Sequence, residues 1–356
     1  MNHLLFRCCK PLRAWGFCLF STFFSIHAFS APTLNILNWD DYLSAEAIAG
    51  WESLEGVKVQ VIAYDNEDVR DMLLTDLTQN HIDLAIVDSQ SATKLAKLGY
   101  VINLKETVSL SGIEAEWLQK CGDSGVPYLW GTLGIAYRED KVHQPVNAWA
   151  DLFSERDDLK GHIGMLSDHY SIMVPALIHL NLSPNTDKEV DLKATFELLK
   201  KQSDSVLTYE YAPSFLSNST KKDDLYAAVV YSGDQFLMNE TVGKEVWRYV
   251  LPEEQSIVWL DCWVVPTNSE KQSLALSFIE YISQAKVAAK NSEEIGVATV
   301  SHAAHGLQSK TMAEDALIYP RMESPDKFLP VEMLSDANIQ QRIRIQEAVK
   351  VIHESK

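Results

Sequence analysis

Between residues 34 and 98, short apolar runs alternate with stretches whose apolar residues recur at helical spacing. The predicted strands lie at 34–37, 57–62 and 82–87. The predicted helices lie at 44–52, 68–77 and 91–98. Ser44 can cap the first helix, and Gly56 follows its end. This β-α-β-α-β-α order predicts a doubly wound parallel sheet, in which ligands bind at the carboxyl ends of strands.

The rest of the chain continues the mixture of strands and helices. Further strands are predicted at 135–137, 163–166, 227–231 and 258–265, and further helices at 188–201, 273–283 and 339–353. The chain has 356 residues, whereas a single hydrophobic core rarely grows past roughly 250–300 residues. No internal repeat or linker divides it. We therefore expect two α/β lobes with crossing segments rather than two domains in series.

Residues 1–30 have the three parts of a secretory signal peptide. A region with three basic residues precedes an uncharged run over 14–26 that is rich in Phe and Leu. Ala28-Phe29-Ser30 then places small residues at the −3 and −1 positions of a cleavage site. The apolar run is shorter than the roughly 20 residues of a membrane span, and an uncleaved anchor is the alternative. The sequence predicts export to the periplasm.

The formal net charge of −18 restricts the kind of partner. Nucleic acids are bound by basic surfaces, so this class of function is disfavoured. An acidic cleft instead concentrates cations. No apolar run after the N-terminal segment reaches membrane length. We therefore expect a cationic ligand and no nucleic acid.

Two cysteines, Cys121 and Cys262, lie outside the predicted signal peptide. In an oxidising compartment such a pair can form a disulfide. Two thiols buried in the cores of the lobes are an equally good interpretation. Geometry decides between them.

No catalytic or metal-binding motif is complete in the sequence. Gly122-Asp123-Ser124-Gly125 matches the tetrapeptide around a chymotrypsin-like nucleophile, but the candidate histidine, His305, follows it, against that family's order. His302 and His305 have metal-like spacing, yet no HExxH or CxxC motif accompanies them. We therefore expect no enzyme activity, no metal and no cofactor.

Aromatic residues beside carboxylates fall mainly at predicted strand ends. They are Trp39, Asp40, Asp41 and Tyr42 after the first strand, then Asp88, Asp168, Tyr231, Trp259 and Asp261 at later ones. Aromatic faces attract ammonium groups, and carboxylates bind them through charge-assisted hydrogen bonds. Each segment alone also fits core aromatics with solvated helix caps. Repeated along one cleft, the pattern favours a site for a linear polycation.

A series of motifs covers nearly the whole exported chain. The motifs are Asn38-Trp39-x-x-Tyr42, Ile82-Asp83-Leu84, Pro127-Tyr128-Leu129-Trp130-Gly131-Thr132, Trp149-Ala150-Asp151-Leu152-Phe153, Gly233 after Tyr231, Trp259-x-Asp261, Ile295-Gly296 and Leu317-Ile318-Tyr319-Pro320. Because these motifs follow one another in this order, the sequence resembles the spermidine- and putrescine-binding periplasmic proteins of bacterial ABC importers.

The resemblance implies a type II periplasmic-binding-protein fold, with two doubly wound lobes that close on a ligand in the cleft between them. Lobe 1 would comprise 31–133 and 260–307, and lobe 2 would comprise 134–259 and 308–356.

The resemblance also implies roles for individual residues. Trp39 and Tyr42 would contact the methylene and ammonium groups of a polyamine. Asp41, with Asp40 adjacent, would take the family's acidic position, and Asp168 would bind an ammonium group. Tyr231 would replace a Trp of the aromatic box. Trp259 and Asp261 match the family's most characteristic pair, and Asp261 is the foremost candidate for an amine contact.

Three positions depart from the family pattern. Gln90 stands where spermidine binders carry a Tyr, while Asp88 adds a possible carboxylate nearby. Ser171 replaces an acid, and Val297 replaces a pocket aromatic. Losing one charge-assisted hydrogen bond costs about 1.5–3 kcal/mol. We therefore expect a ligand that differs from spermidine or binds weakly, and norspermidine or another diamine or triamine remains open.

The resemblance implies a monomer that presents a polyamine to an inner-membrane ABC permease. The alternative is a polyamine sensor that signals through a membrane-bound receptor controlling cyclic-di-GMP and biofilm, as in the family's norspermidine-sensor relatives. Two other interpretations stay open. One is a solute-binding protein for an anion or a sugar, and the other is a hydrolase with Asp168 or Asp261 as its base.

Overall fold

The computed structural model of the chain describes residues 32–64, 66–75, 81–105, 107–108, 112–321 and 327–356. The strands are β1 Thr33–Trp39, β2 Lys58–Tyr64, β3 Leu84–Asp88, β4 Val126–Arg138, β5 Ile163–Gly164, β6 Val206–Thr208, β7 Ala227–Tyr231, β8 Trp247–Val250, β9 Ser256–Val264, β10 Ala298–Thr299 and β11 Phe328–Leu329. The predicted signal peptide at 1–30 lies outside the described residues.

Helices connect most of these strands. They are α1 Ala45–Glu55, α2 Glu67–Thr75, α3 Ser89–Lys97, α4 Ala115–Cys121, α5 Trp149–Phe153, α6 Val174–His179, α7 Glu189–Gln202, α8 Ala212–Asn218, α9 Asp234–Val242, α10 Gln272–Ile282, α11 Ala285–Ile295, α12 His302–His305, α13 Lys310–Ala313 and α14 Asp336–Glu354, with a short 3₁₀ helix at Lys222–Asp224. In the part of the chain covered by the structure, no helix has the length and apolar character needed to cross a membrane.

Two long strands, β4 and β9, connect two α/β lobes. The sheet order is β2-β1-β3-β9-β4-β7-β5-β6. β1 pairs in parallel with β2 and β3, and β9 pairs antiparallel with β3 and β4. The end of β4 pairs instead with β7 and β8. Lobe 1 thus contains β1, β2, β3 and β10, lobe 2 contains β5 to β8, and β4 and β9 run between them. The residue bounds predicted for the lobes stay a prediction.

Successive residues of the central strands pack into different cores. In β3, Ile86 belongs to one apolar cluster and Val87 to another. In β7, Val229 and Val230 divide in the same way. Because neighbouring side chains of a strand point to opposite faces, both faces of each half of the sheet are covered. This confirms the predicted doubly wound architecture.

The ends of α1 confirm the start and stop signals in the sequence. The Ser44 hydroxyl accepts a hydrogen bond from the Ala47 N–H at 3.1 Å, as an N-cap does. Gly56 has a φ of 67° and donates its N–H to the Glu52 carbonyl. This helix therefore holds the turn between β1 and Ser44, which carries the predicted ligand residues.

Several predicted bounds differ from the structure. The strand predicted at 135–137 is the end of β4, because the apolar stretch before it is also extended and buried. The strand predicted at 163–166 is limited to β5. The helix predicted at 68–77 begins one residue earlier, and the structure describes it as far as Thr75.

A disulfide links Cys121 to Cys262, with the two Cα atoms 6.0 Å apart. Of the two states that the sequence leaves open, the structure has the bonded one. Cys121 ends α4 and Cys262 lies on β9, and both belong to one apolar cluster of lobe 1. The bond therefore fastens α4 to the sheet without crossing between lobes.

Candidate ligand-binding cleft

A cavity of about 620 Å³ lies where β1, β3, β7 and β9 bring their predicted site residues together. We call it the first cavity. Its lining includes eight of the ten predicted site residues, namely Trp39, Asp40, Asp41, Tyr42, Asp88, Tyr231, Trp259 and Asp261. Residues from both lobes therefore surround one space.

Aromatic rings form the walls of the first cavity. Tyr231 lies near both Trp39 and Trp259. Its ring centroid is 6.5 Å from that of Trp39 and 5.9 Å from that of Trp259. The Tyr42 ring also lies near Trp259, with 6.4 Å between the ring centroids. Trp39 also packs on Tyr64, at 4.5 Å, which holds its ring against lobe 1. Four rings thus face the space in which a ligand would lie.

Gly131 of β4 makes room for one of these rings. A Cβ atom added at Gly131 would collide with the Trp259 ring and with the Ser232 hydroxyl. The indole therefore lies directly on the backbone of β4. In the sequence Gly131 stands only as part of a motif of the family resemblance, which does not show what the residue contacts.

Asp261 lies at the inner end of the first cavity. It is 6 % exposed and is the antiparallel partner of Asp88 across β9 and β3. Burial, followed by repulsion from Asp88, raises the pKa of Asp261 to about 7, and Arg70 and the Tyr42 hydroxyl oppose the rise. A cation placed beside Asp261 would favour its ionised form.

Asp88, in contrast, already has internal partners. Its carboxylate caps α3, accepting from the N–H and the hydroxyl of Ser91 at 2.8 and 2.6 Å. Arg70 Nη1 lies 2.9 Å from Asp88 Oδ2. Burial raises the pKa of Asp88, but Arg70 and the Ser91 hydrogen bonds outweigh it, so that this pKa is lowered. Asp88 is therefore an ionised carboxylate with its own counter-ion.

Sequence reasoning missed Arg70 and several carboxylates. Arg70 is only 1 % exposed and also binds Asp71. The carboxylates that it missed in the lining of the first cavity are Glu67, Asp234, Glu240 and Glu294. Burial raises the pKa of Asp234 to about 7 against hydrogen bonds from the Tyr211 hydroxyl and the Tyr231 N–H. For Glu67 and Arg70 of α2, the sequence offered one signal, an arginine among closely spaced acidic residues in 67–71.

Asp40 and Asp41 lie at the exposed end of the first cavity. Asp41 has a φ of 50°, the left-handed conformation that Asp tolerates in turns. Partial burial, then Asp40 and Glu240, raise the pKa of Asp41. Because Glu240 belongs to α9 of the other lobe, carboxylates from both lobes meet at this end.

Two predicted residues lie elsewhere. Asp168 does not line the first cavity; its Oδ1 accepts from the Tyr170 and Ser171 N–H groups at 3.1 and 2.7 Å and so holds a turn. Gln90 donates its side-chain N–H to the Val331 carbonyl at 2.7 Å. Neither residue therefore belongs to the lining of the first cavity.

Gln90 lines a second cavity of about 560 Å³ beside the first. Glu67, Asp88, Tyr231 and Trp259 line both cavities and form the wall between them. Of the two other positions that depart from the family pattern, Val297 lines the first cavity and Ser171 the second.

Curated relatives match the chain over most of its length. The norspermidine sensor of Vibrio cholerae is 31% identical over 328 residues, which cover 92% of this chain and 91% of that protein. The spermidine/putrescine-binding periplasmic protein of Escherichia coli K12 is 26% identical over 307 residues, which cover 84% of this chain and 86% of that protein. The first of these proteins is named a sensor and the second a periplasmic binding protein.

Solved structures share the fold. A putative spermidine/putrescine ABC transporter protein of Listeria monocytogenes has a TM-score of 0.81 at 24% identity, covering 90% of this chain and 99% of that one. A spermidine/putrescine substrate-binding protein of Streptococcus pneumoniae has a TM-score of 0.74 at 23% identity, covering 91% and 100%. These likenesses confirm the predicted type II periplasmic-binding-protein fold. Residues 46–320 match the family of bacterial extracellular solute-binding proteins, and the chain belongs to that family.

Proposed function

We propose that this protein binds a linear polyamine in the first cavity and presents it to an ABC importer of the inner membrane. The observation that carries the proposal is Asp261, a buried carboxylate at the inner end of a cleft walled by Trp39, Tyr42, Tyr231 and Trp259. An ammonium group beside Asp261 would gain a charge-assisted hydrogen bond, and the adjoining methylenes would lie against the rings.

The charge of the first cavity supports a cation over an anion or a sugar. The described residues that line it include eight carboxylates and no Lys, Arg or His; the carboxylates are Asp40, Asp41, Glu67, Asp88, Asp234, Glu240, Asp261 and Glu294. An anion would need positive partners there, and the N-terminus of α1 that borders the cavity already binds the Glu294 carboxylate through the Ser44 hydroxyl and the Ala45 N–H. A chain with several amino groups would reduce repulsion among these carboxylates.

Calorimetric titration of the purified protein tests the proposal. The panel is putrescine, cadaverine, norspermidine and spermidine, with glucose and acetate as negative controls. We expect saturable binding of at least one polyamine and none of the controls. A folded protein that binds no polyamine would overturn the proposal. Mass spectrometry of the recovered ligand should show no chemical change, as expected for a binding protein, whereas a product would favour the hydrolase interpretation.

A second candidate function is sensing, because the curated norspermidine sensor is the 31% identical relative. In this role the closed protein would act on a membrane receptor instead of a permease. Deleting the gene distinguishes the two. The importer proposal expects lower uptake of labelled polyamine, while the sensor alternative expects normal uptake and a loss of the response of cyclic-di-GMP to polyamine.

We further propose that residues 1–30 are removed on export and that the mature protein acts as a periplasmic monomer. The mass of the protein recovered from a periplasmic extract measures the cleavage after Ser30. A full-length mass in the membrane fraction would support the uncleaved-anchor alternative instead.

A further inference from the structure

A fixed internal cation, Arg70, lies against the wall between the two cavities. Arg70 lines the second cavity, and its guanidinium contacts Asp88, one of the wall residues that also line the first. Arg70 Nε and Nη2 donate to Asp71 Oδ1 at 2.9 and 2.8 Å, and Nη2 also donates to the Ser91 hydroxyl at 2.8 Å. With 1 % exposure and these partners, the guanidinium is not free to swing away.

Asp88 is the carboxylate that a long polyamine would reach after Asp261. The two residues are register partners on β3 and β9, so their Cα atoms are neighbours across the sheet. If one amino group lies at Asp261 and the rest of the polyamine extends toward the second cavity, the next amino group reaches Asp88. Arg70 already holds that carboxylate, and two cations at this distance repel each other in a poorly hydrated site.

We propose that Arg70 is a specificity-determining residue that limits the ligand to polyamines with two or three amino groups. Such a ligand would extend from Asp261 toward the exposed carboxylates Asp40, Asp41 and Glu240, away from Arg70. The inference rests on the proposed polyamine binding and deepens it by naming the length class. The other wall carboxylate, Glu67, has its Oε1 4.0 Å from Arg70 Nη1. A fourth amino group therefore finds no carboxylate at the wall that lacks a cation.

The wild-type protein provides the first test, which needs no folded variant. Affinities for putrescine, norspermidine and spermine are measured by calorimetry at about 150 mM salt, where nonspecific surface attraction is screened. We expect spermine to bind no more than about threefold tighter than norspermidine, because its fourth amino group gains no partner. A tenfold or larger gain with spermine would overturn the proposal. If no polyamine binds at all, the proposed function fails, and not only this inference.

The variant Arg70→Gln provides the second test. It frees Asp88 while keeping polar groups near Ser91, and we expect spermine to gain about tenfold over norspermidine, as one new charge-assisted hydrogen bond implies. Arg70→Lys retains the charge and should retain the wild-type ratio. Arg138→Gln removes another buried arginine, paired with Asp140 at 2.7 Å outside both cavities, and should also leave the ratio unchanged.

Either of two results from the variants contradicts the role of Arg70. One is a folded Arg70→Gln protein, with a cooperative melting transition, whose ratio of spermine to norspermidine affinity equals that of the wild type. The other is the same tenfold rise in Arg70→Lys, which would show that shape and not charge excludes the longer ligand. If Arg70→Gln does not fold, the wild-type ligand series decides.

Discussion

Asp88 and Asp261 are opposite partners in the β3–β9 ladder, yet only Asp88 has a cation in direct contact. Arg70 neutralises Asp88, and α3 adds hydrogen bonds from Ser91 to the same carboxylate. Asp261 has the Tyr42 hydroxyl beside it and the open cavity in front of it. The pair is therefore divided into a structural carboxylate and one that is available to a ligand.

Replacing Asp261 with Asn should weaken polyamine binding by about 10- to 100-fold, because one charge-assisted hydrogen bond in a buried site is lost. Calorimetric titration measures the change. Asp140→Asn removes the same charge far from the cleft, beside Arg138, and serves as the matched control with unchanged affinity. Equal affinities of the Asp261→Asn protein and the wild type would remove Asp261 from the proposed site.

Polyamine binding should also strengthen as pH rises from about 5 to 7 and level off above. Burial raises the pKa of Asp261 to about 7, and an ammonium ligand selects the ionised carboxylate, so binding at pH 6 releases a proton. Titrations in buffers of different ionisation enthalpy measure this release. In Asp261→Asn we expect the release to fall, with the remainder assigned to Asp234, whose pKa is also about 7, and to Glu67, whose pKa is likewise raised by burial. Undiminished release in that variant would contradict the assignment.

The contribution of Asp261 to the stability of the unliganded protein should, in contrast, decrease as pH rises. Because the folded-state pKa of Asp261 lies above its ordinary value of 3.8, the folded protein holds more protons than the unfolded chain between these values. The contribution of Asp261 to stability is complete below about pH 4 and is lost as pH rises through about 7. Asp261→Asn should therefore raise the melting temperature at pH 8 and leave it unchanged at pH 4. A lower melting temperature at pH 8 would contradict the sign.

Much of the fold could be predicted because its signals are local. The strand over Leu84–Asp88 is a nearly continuous apolar run, and Ser44 and Gly56 mark the two ends of α1. The insertion of β9 between β3 and β4 could not be predicted from such patterns. It depends on pairing between strands far apart in the chain, for which periodicity carries no information.

The candidate site was predictable where aromatic residues and carboxylates lie close together, either near a strand end or within one strand. Trp259 and Asp261 combine an aromatic ring and a carboxylate on one strand, and both line the first cavity. Asp168 has the same pattern but holds a turn, because an Asp after a strand can equally bind backbone N–H groups. Arg70 was missed because an arginine among carboxylates on a helix resembles a solvated ion pair, and its burial is a tertiary property.

Reducing the disulfide should lower stability without changing ligand affinity. The bond joins residues 141 apart, and in the chain-entropy model closing a loop of this size contributes about 4–5 kcal/mol. Urea unfolding of a Cys121→Ser/Cys262→Ser protein, compared with the wild type with and without reductant, measures the loss. Both cysteines lie outside the lining of the first cavity, so the polyamine affinity of the folded variant should stay within about twofold. A large drop in affinity would show that the bond also positions the cleft.

Replacing Gly131 with Ala should weaken polyamine binding by displacing one wall of the first cavity. The added methyl group would occupy space held by the Trp259 ring and the Ser232 hydroxyl, so the indole must move toward the ligand position. We expect a loss of about tenfold or more in affinity, together with a changed tryptophan fluorescence spectrum. Gly306→Ala adds the same methyl group at a site with only ordinary contacts, at 3.7 Å and beyond, and is the matched control. If Gly131→Ala binds polyamine as the wild type does, the Trp259 ring does not form the ligand wall that we propose.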